Sequence, residues 1–258
     1  MTRGRAALAI SQGVSVWLLE APDGFGEAGF HAHHAIQITA SLSGSLTLAT
    51  REHSLSGTVL AVRAGAAHRL EAHGLLAFVF VEPESRIGRA LTQSLFGTAD
   101  IVPLPDEVRA VFAPDAEHLL ERADRPAMLA RGEAAIRLME PGLPAVEPDP
   151  RIRRIIDTAT ARLDRPLSLK QAAEGIYLSE SRLRHLFVEQ TGLPFKTYLL
   201  WLRLVRALDI YSEGQSLTEA AHLAGFSDSA HLSRIFRRTF GLPATTLTRI
   251  QPLRSSAG

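Results

Sequence analysis

The sequence predicts two domains of different class, a β-barrel or sandwich followed by an all-α domain. Three observations carry this. Residues 141–150 read PGLPAVEPDP, four prolines and a glycine that cannot continue a helix and make a stiff, extended linker. The texture changes across it, from short alternating runs punctuated by Gly and Ser to long stretches with helical spacing. The charge changes too. Residues 1–150 hold 12 Arg against 18 Asp/Glu, hence −6, and residues 151–258 hold 16 Arg/Lys against 9 Asp/Glu, hence +7, which together give the overall +1. A basic half beside an acidic one points to different partners, a polyanion being the natural one for the basic half.

With 258 residues, 46% of them apolar, two domains is the ordinary expectation, and a mainly disordered chain is excluded. No apolar run of about 18 residues exists, so no membrane span is expected. No secretory signal is evident at the start, and a cytoplasmic location is expected. The absence of Cys removes disulfides, thiolate metal ligands and a cysteine nucleophile.

The strand-like runs are Val14–Leu19, Ile36–Leu42, Leu46–Thr50, Thr58–Val62 and Leu75–Val81. Helical spacing then takes over in Ser85–Phe96 and about 105–140, with apolar residues at 119, 120, 128, 129, 135, 136, 138 and 139, and with Pro126 as a break. These apolar positions exceed what a short linker needs, so a homodimer formed partly through these helices is expected.

The basic half contains a repeated unit. In residues 167–192, Ser168 caps a short helix carrying Leu169, Ala172 and Ala173. Gly175 allows a sharp turn, Ser179 caps a second helix with the buried stripe Leu183, Leu186 and Phe187, and Gly192 ends it. In residues 216–241 the pattern recurs: Ser216, then Leu217, Ala220 and Ala221, then Gly225-Phe226, then a helix capped at Ser227 with Leu232, Ile235, Phe236 and Phe240 inward and Gly241 at its end. Each is a helix-turn-helix whose second helix can enter a major groove. The connector from about 195 to 212 would span about 27 Å as a helix, close to the ~34 Å between successive major-groove faces. Tyr198 and Trp201 within it read as core pins rather than base-stacking groups.

Residues 151–250 resemble the DNA-binding domain of AraC/XylS-type transcription regulators. The resemblance rests on Ala172-Ala173, Ser179, Leu183, Phe187, Gly192 and Pro194, then on Ala220-Ala221, Ala224–Asp228, Ser233-Arg234, Phe236, Phe240-Gly241 and Pro243. One departure is the tail, where Leu247 and Thr248 stand where the family usually has an aromatic residue before Arg249. The outward face of the first reading helix presents Ser181, Arg184, His185 and Val188, and that of the second presents Ser229, Ala230, Ser233, Arg234 and Arg237. The resemblance places DNA contacts on Ser181, Arg184, His185, Ser229, Ala230, Ser233 and Arg234. Arg184 is suited to fork onto a guanine edge, the alternative for either Arg being phosphate contact alone. Helix N-termini at Ser179 and Ser227 should favour phosphate.

Six of the ten histidines fall between 31 and 73. His31-Ala-His33-His34-Ala-Ile-Gln37, six residues and Gly44, followed later by Gly57, five residues, Arg63-Ala-Gly65-Ala-Ala-His68, resembles the two cupin motifs, with Gln37 in place of Glu and Arg63 in place of Pro. The resemblance implies an N-terminal cupin-like β-barrel with flanking helices, a sensing domain such as these regulators usually carry. Residues two apart on a strand share a face. His31 and His33 can therefore converge, with His68 completing three imidazoles and Gln37 offering an oxygen, a set that suits Zn, Ni, Fe or Cu. The same residues could instead contact an organic effector, or be structural. His34, His53 and His73 read as surface or rim positions. If Gln37 points inward, so do Thr39 and Ser41, and the apolar face Ile36, Ile38, Ala40 and Leu42 needs a helical cover. If the apolar stripe lines the barrel instead, the histidines lie outside and the metal reading fails.

The expected organisation is a sensing and dimerising domain over 1–140, with a helical part at about 106–140, a linker over 141–150 and a DNA-binding domain over 151–258. The expected function is sequence-specific transcription regulation of double-stranded DNA in response to a small molecule or metal. The partners would be a second copy of the chain and the transcription machinery, with no membrane. A metal-dependent cupin enzyme, or a β domain that only oligomerises, each fused to a DNA-binding module, are the rival classes; no base or nucleophile stands beside the histidines to support catalysis. Activator or repressor is not readable.

Overall fold

A computed structural model describes residues 4–21, 24, 29–139, 147–241 and 251–252. Most of the proline-rich linker and the tail carrying Pro243, Leu247, Thr248 and Arg249 lie outside the described residues. The first half is a sheet with helices on one face, and the second is helical throughout. No helix among the described residues is long and apolar enough to cross a membrane.

Strands β1 (Arg5–Ser11) and β2 (Val14–Ala21) form a hairpin turned at Gly13, whose φ is +80°. β3 (Ile36–Ser41), β4 (Ser45–Ala49), β5 (Ser54–Ser56), β6 (Val59–Val62), β7 (Arg69–Val81), β8 (Ile101–Pro103) and β9 (Gln251–Pro252) complete the sheet. Its order is β8-β6-β3-β7-β2-β1-β9, with the β4–β5 pair joined to the first half of β7. The sheet turns a corner where Gly44 and Gly74 cross. A Cβ on Gly44 would lie 2.2 Å from the His73 carbonyl oxygen, and one on Gly74 would lie 2.4 Å from that of Ser43. Only glycine permits this approach, and both carry positive φ. The expected barrel is therefore a curled sheet whose described ladders do not close, ending at β8 on one side and β9 on the other.

The two faces of the sheet have different covers. Ile36, Ile38 and Ala40, with Val16, Leu18, Ala77 and Val79, pack beneath the helices of the first half. These are α1 (Arg86–Leu95), α2 (Glu107–Ala110), α3 (Ala116–Arg122) and α4 (Arg125–Met139), with Pro126 in the first turn of α4. Leu119, Leu120, Met128, Ala135, Ile136 and Met139 are all buried there, and Leu138 is 54% exposed. Most of the apolar surplus that suggested a dimer is thus spent on the chain's own sheet. The opposite face, with Leu8, Trp17, Leu60, Phe78 and Phe80, shares one continuous apolar core with the C-terminal helices.

Those helices are α5 (Pro150–Thr160), α6 (Leu169–Ala172), α7 (Glu180–Thr191), α8 (Phe195–Ser212), α9 (Leu217–Leu223) and α10 (Ser229–Phe240). Ser168 and Ser216 form capping boxes with Gln171 and Glu219, and Ser179 accepts from the Arg182 amide. At α10 the cap is Asp228 rather than Ser227: its carboxylate accepts the His231 N–H at 2.6 Å, a charge-assisted bond that outcompetes a hydroxyl. Gly192 and Gly241 end α7 and α10 in the left-handed conformation.

Candidate functional site

Two surfaces of α7 and α10 and one buried cluster carry the chemistry. On α7, Ser181, Arg184 and His185 are exposed, as are Arg182 and Val188. On α10, Ala230, Arg234 and Arg237 are exposed, while Ser229 and Ser233 are half-buried. The Ser233 hydroxyl donates back to the Ser229 carbonyl at 2.8 Å, so that bond must be exchanged before Ser233 can donate to DNA. Arg184 forms an ion pair with Glu180 one turn earlier. That pair engages the Arg184 guanidinium on the exposed face of α7. Asp228 at the start of α10 works against phosphate at that N-terminus, a correction to the expectation placed on Ser227; at α7 the cap Ser179 is neutral, but Glu180 in the first turn, paired with Arg184, brings a carboxylate there too. Tyr177, in the turn before α7, is 99% exposed. Apolar periodicity could not single it out, because it belongs to no stripe.

The histidines converge. His31, His33 and His68 are all buried, and one ring nitrogen of each lies within 4.8 Å of the others. A bridge between the backbones of His31 and His68 brings the two segments together. Gly65, with φ +78°, turns the chain before His68 and donates its N–H to the His33 carbonyl at 2.9 Å. Gln37, Thr39 and Ser41 lie on the same face of β3, opposite Ile36, Ile38 and Ala40. Gln37 reaches both His33 (2.9 Å) and Thr39 (2.9 Å). Ser41 is not part of the cluster; its hydroxyl donates to the Ser43 carbonyl at the sheet corner. Arg63 donates to the carbonyls of Gly97 and Ala99, anchoring the segment before β8 rather than entering the site.

The protonation pattern follows from the hydrogen bonds. The Nδ1 atoms of His31, His33 and His68 sit 2.9, 3.0 and 2.9 Å from the carbonyls of Gly29, Ala35 and Ala66. A carbonyl only accepts, so each Nδ1 carries the proton and each Nε2 presents a lone pair. Burial holds the imidazoles neutral. It lowers His31, and with the nearby His31 charge it takes His33 down to about 4; for His68, burial outweighs repulsion from His33 and His31 in lowering the ring. Gln37 Oε1 faces His33 Nε2 while its Nε2 donates to Thr39 Oγ1; with the His33 proton on Nδ1, the two facing atoms are both acceptors, and only turning the amide over gives the His33 lone pair a donor. The Nε2 of His68 is buried with no partner among the described residues.

The cluster lies against the C-terminal domain. Phe240, at the last turn of α10, packs on Trp17 (5.2 Å between ring centroids), His33 (6.0 Å) and Phe80 (6.1 Å). A Cβ on Gly241 would lie 2.6 Å from both the Gly29 carbonyl oxygen and His31 Nδ1. Nearby, His34 is buried rather than a rim residue. Its Nε2 meets Glu84 Oε2 at 2.9 Å, and its ring packs on Tyr198 and Trp201 of α8. The Tyr198 hydroxyl donates to Glu84 Oε1 at 2.6 Å. Tyr198 and Trp201 are pins, as expected, but pins between domains. Arg125 of α4 pairs with Asp209 of α8, and Arg89 of α1 donates to Gln190 of α7.

A model of the helix-turn-helix domain matches residues 172–250. HTH-type transcriptional regulator GbdR of Pseudomonas aeruginosa is 30% identical over 105 residues, which cover 40% of this chain and 29% of that protein. HTH-type transcriptional activator RhaR of Pectobacterium atrosepticum is 32% identical over 89 residues, covering 34% and 31%. The matched stretch in the C-terminal half is similar to the helix-turn-helix domain of AraC/XylS-type regulators. The chain spans about three-tenths of the length of these curated relatives. ToxT from Vibrio cholerae O395 shares the fold along the whole molecule: 12% identity and a TM-score of 0.58, with 96% of this chain and 98% of that one covered. ToxT has also been solved with (E)-4-(8-methylnaphthalen-1-yl)but-3-enoic acid bound, a structure with a TM-score of 0.57 and 11% identity that covers 97% of this chain and all of that one.

Proposed function

We propose that this protein is a sequence-specific DNA-binding transcription regulator whose N-terminal domain senses a small molecule or metal. The observation that carries the reading is the tandem pair α7 and α10, each capped, each ended by a left-handed glycine, and each presenting Arg on its exposed face. Two such helices read successive major-groove faces, with α8 as the rigid spacer. The relatives' names support regulation rather than catalysis. The sensor communicates through contact, since the histidine cluster packs directly on the end of α10. A ligand there biases the docking of the second reading helix, which is a coupling free energy between two sites. The acid bound by ToxT is not the model for this cluster, because three inward-facing lone pairs do not suit a carboxylate.

Regulation of this kind places the protein in the cytoplasm with the transcription machinery, acting as a homodimer assembled through the N-terminal half. Duplex binding by the full chain, measured across a salt series against a selected site and random DNA, tests the reading. Affinity should fall steeply with salt and differ by at least about 1000-fold between the two sequences. Equal affinity for both would remove the sequence-specific reading. Sedimentation of the full chain should show a dimer at micromolar concentration.

A further inference from the structure

We propose that Arg89 of α1 is a positioning residue for the first reading helix, fixing the C-terminal end of α7 from the N-terminal half. The proposal rests on the regulator reading above, since α7 reads nothing unless the chain binds DNA. The last carbonyls of a helix have no intrahelical partner. At the end of α7 the Val188 carbonyl accepts the Gly192 N–H, and the Gln190 carbonyl accepts from Arg89 Nη2 at 2.9 Å. The same Nη2 donates to the Gln190 side-chain oxygen at 2.8 Å. A guanidinium placed there also meets the negative pole of the helix. One residue of α7 is thus held by main chain and side chain together, which fixes its direction as well as its distance. Gln190 has a second duty. Its Oε1 also accepts the N–H of Asp149 at 3.3 Å, and Asp149 is the N-cap of α5. Helix α1, the start of α5 and the end of α7 therefore meet at one amide.

The support behind Arg89 is stiff. Ser85 caps α1 by accepting the Gly88 N–H at 2.9 Å. A Cβ on Gly88 would lie 2.0 Å from the Glu82 carbonyl oxygen, so α1 starts hard against the chain leaving β7. Arg89 Nε donates to the Glu84 carbonyl at 3.2 Å, which orients the guanidinium. The other reading helix is held at the same end, where Phe240 packs on Trp17 and Phe80 and Gly241 lies against His31. The N-terminal half therefore grips both reading helices at their C-terminal ends and leaves Arg184 and Arg234 exposed on their outward faces. Successive major-groove faces lie a fixed ~34 Å apart, so both helices meet them together only if their relative tilt is also fixed. Removing the grip of Arg89 frees α7 to tilt while α10 stays seated. The cost falls on the base pairs that α7 reads.

Two measurements on the full chain test this. Arg89→Met keeps the unbranched stem and removes the donors, and Arg86→Ala, at an exposed position on the same helix, is the control. Without DNA, Arg89→Met should speed backbone hydrogen exchange in the last turn of α7 by about tenfold or more, the scale of one hydrogen bond to a charged group, and leave the last turn of α10 unchanged. In competition binding to a selected duplex and its single-base variants, Arg89→Met should relax the preference at the base pair that Arg184→Ala relaxes and keep it at any pair that Arg234→Ala relaxes. Arg89→Lys, whose ammonium still reaches the Gln190 carbonyl, should recover part of both effects. Gln190→Ala, made from the other side of the joint, should give smaller losses in the same direction. Exchange in α7 equal to that of Arg86→Ala would overturn the proposal, as would a loss of DNA affinity uniform over all base pairs. If Arg89→Met fails to fold, Arg89→Lys and Gln190→Ala carry the same two tests. A wild type with no site preference would remove the regulator reading, and hydrogen exchange would still decide whether Arg89 holds α7.

Discussion

The hydroxyl of Tyr198 is the most informative single group in the domain interface. It sits in α8 of the C-terminal half, fully buried, and donates to Glu84 of the N-terminal half at 2.6 Å. Burial, together with the charges of Glu84 and Glu82, raises the phenol well above its ordinary range, so it stays a donor at every working pH. The other Glu84 oxygen meets His34. Tyr198→Phe keeps the ring and its packing on Phe187 and His34, and removes only the donor. A hydrogen bond to a charged group is worth about 1.5–3 kcal/mol, and the carboxylate left behind keeps only one of its two partners. The variant should therefore lose about 2 kcal/mol in urea unfolding of the full chain, read by the fluorescence of Trp17 and Trp201 on the two sides of the interface. The same substitution in a Glu84→Gln background should cost about 1 kcal/mol less, because the acceptor no longer carries charge. An equal loss in both backgrounds would refute the assignment of the energy to this bond.

Three further outcomes follow from particular contacts. Arg184→Ala should weaken binding to the preferred site by about 1–3 kcal/mol and relax the preference at one base pair, as read by competition against single-base variants; a uniform loss on all sequences would make it a phosphate contact. Gly44→Ala should destabilise by about 2–4 kcal/mol, seen as a lower Tm, because the methyl meets the His73 carbonyl at 2.2 Å and the backbone is left-handed. Glu82, beside Glu84 and Trp201 at the interface, is pushed up to about 8, chiefly by burial and then by the Glu84 charge. The folded state then holds a proton that the unfolded state releases near the ordinary carboxylate range, so stability falls as pH rises from about 4.5 to 8. Glu82→Gln should flatten that part of the stability–pH curve, and an unchanged slope would show that Glu82 ionises normally.

Much of the C-terminal half was legible because local chemistry decides it. Ser at the caps, Gly at the ends and an apolar stripe at helical spacing each specify the same elements, and the observed α7, α8 and α10 lie within a residue or two of the expectation. The Asp228 cap was misplaced by one position because Ser and Asp stand side by side and both are good caps. In the sheet, β1 was missed. Its sequence RAALAIS is rich in Ala, which signals helix, and only pairing with β2 makes it a strand. The orientation of β3 was undecided from sequence, since Ile36–Ser41 is buried on both faces and alternation alone does not say which face meets helices.

The position of the DNA-binding half was not legible at all, and the reason is physical. Phe240, Tyr198 and Trp201 each fit a helical stripe that a free-standing domain would bury within itself, and nothing in their spacing marks a second function. His34 looked like a spare histidine in a rich cluster, yet it is the residue that carries the chain from one site to the other. His33 faces the three-imidazole cluster, and His34, the next residue, faces Glu84 and Tyr198 across the interface. His34 lies at a bend just before β3, and the chain's change of direction there turns its ring away from that of His33. A displacement of this short segment would move both contacts together. The histidine cluster and the Glu84–Tyr198 contact are thus joined by one dipeptide, and α10 rests on the first through Phe240 while α8 is held by the second through Tyr198.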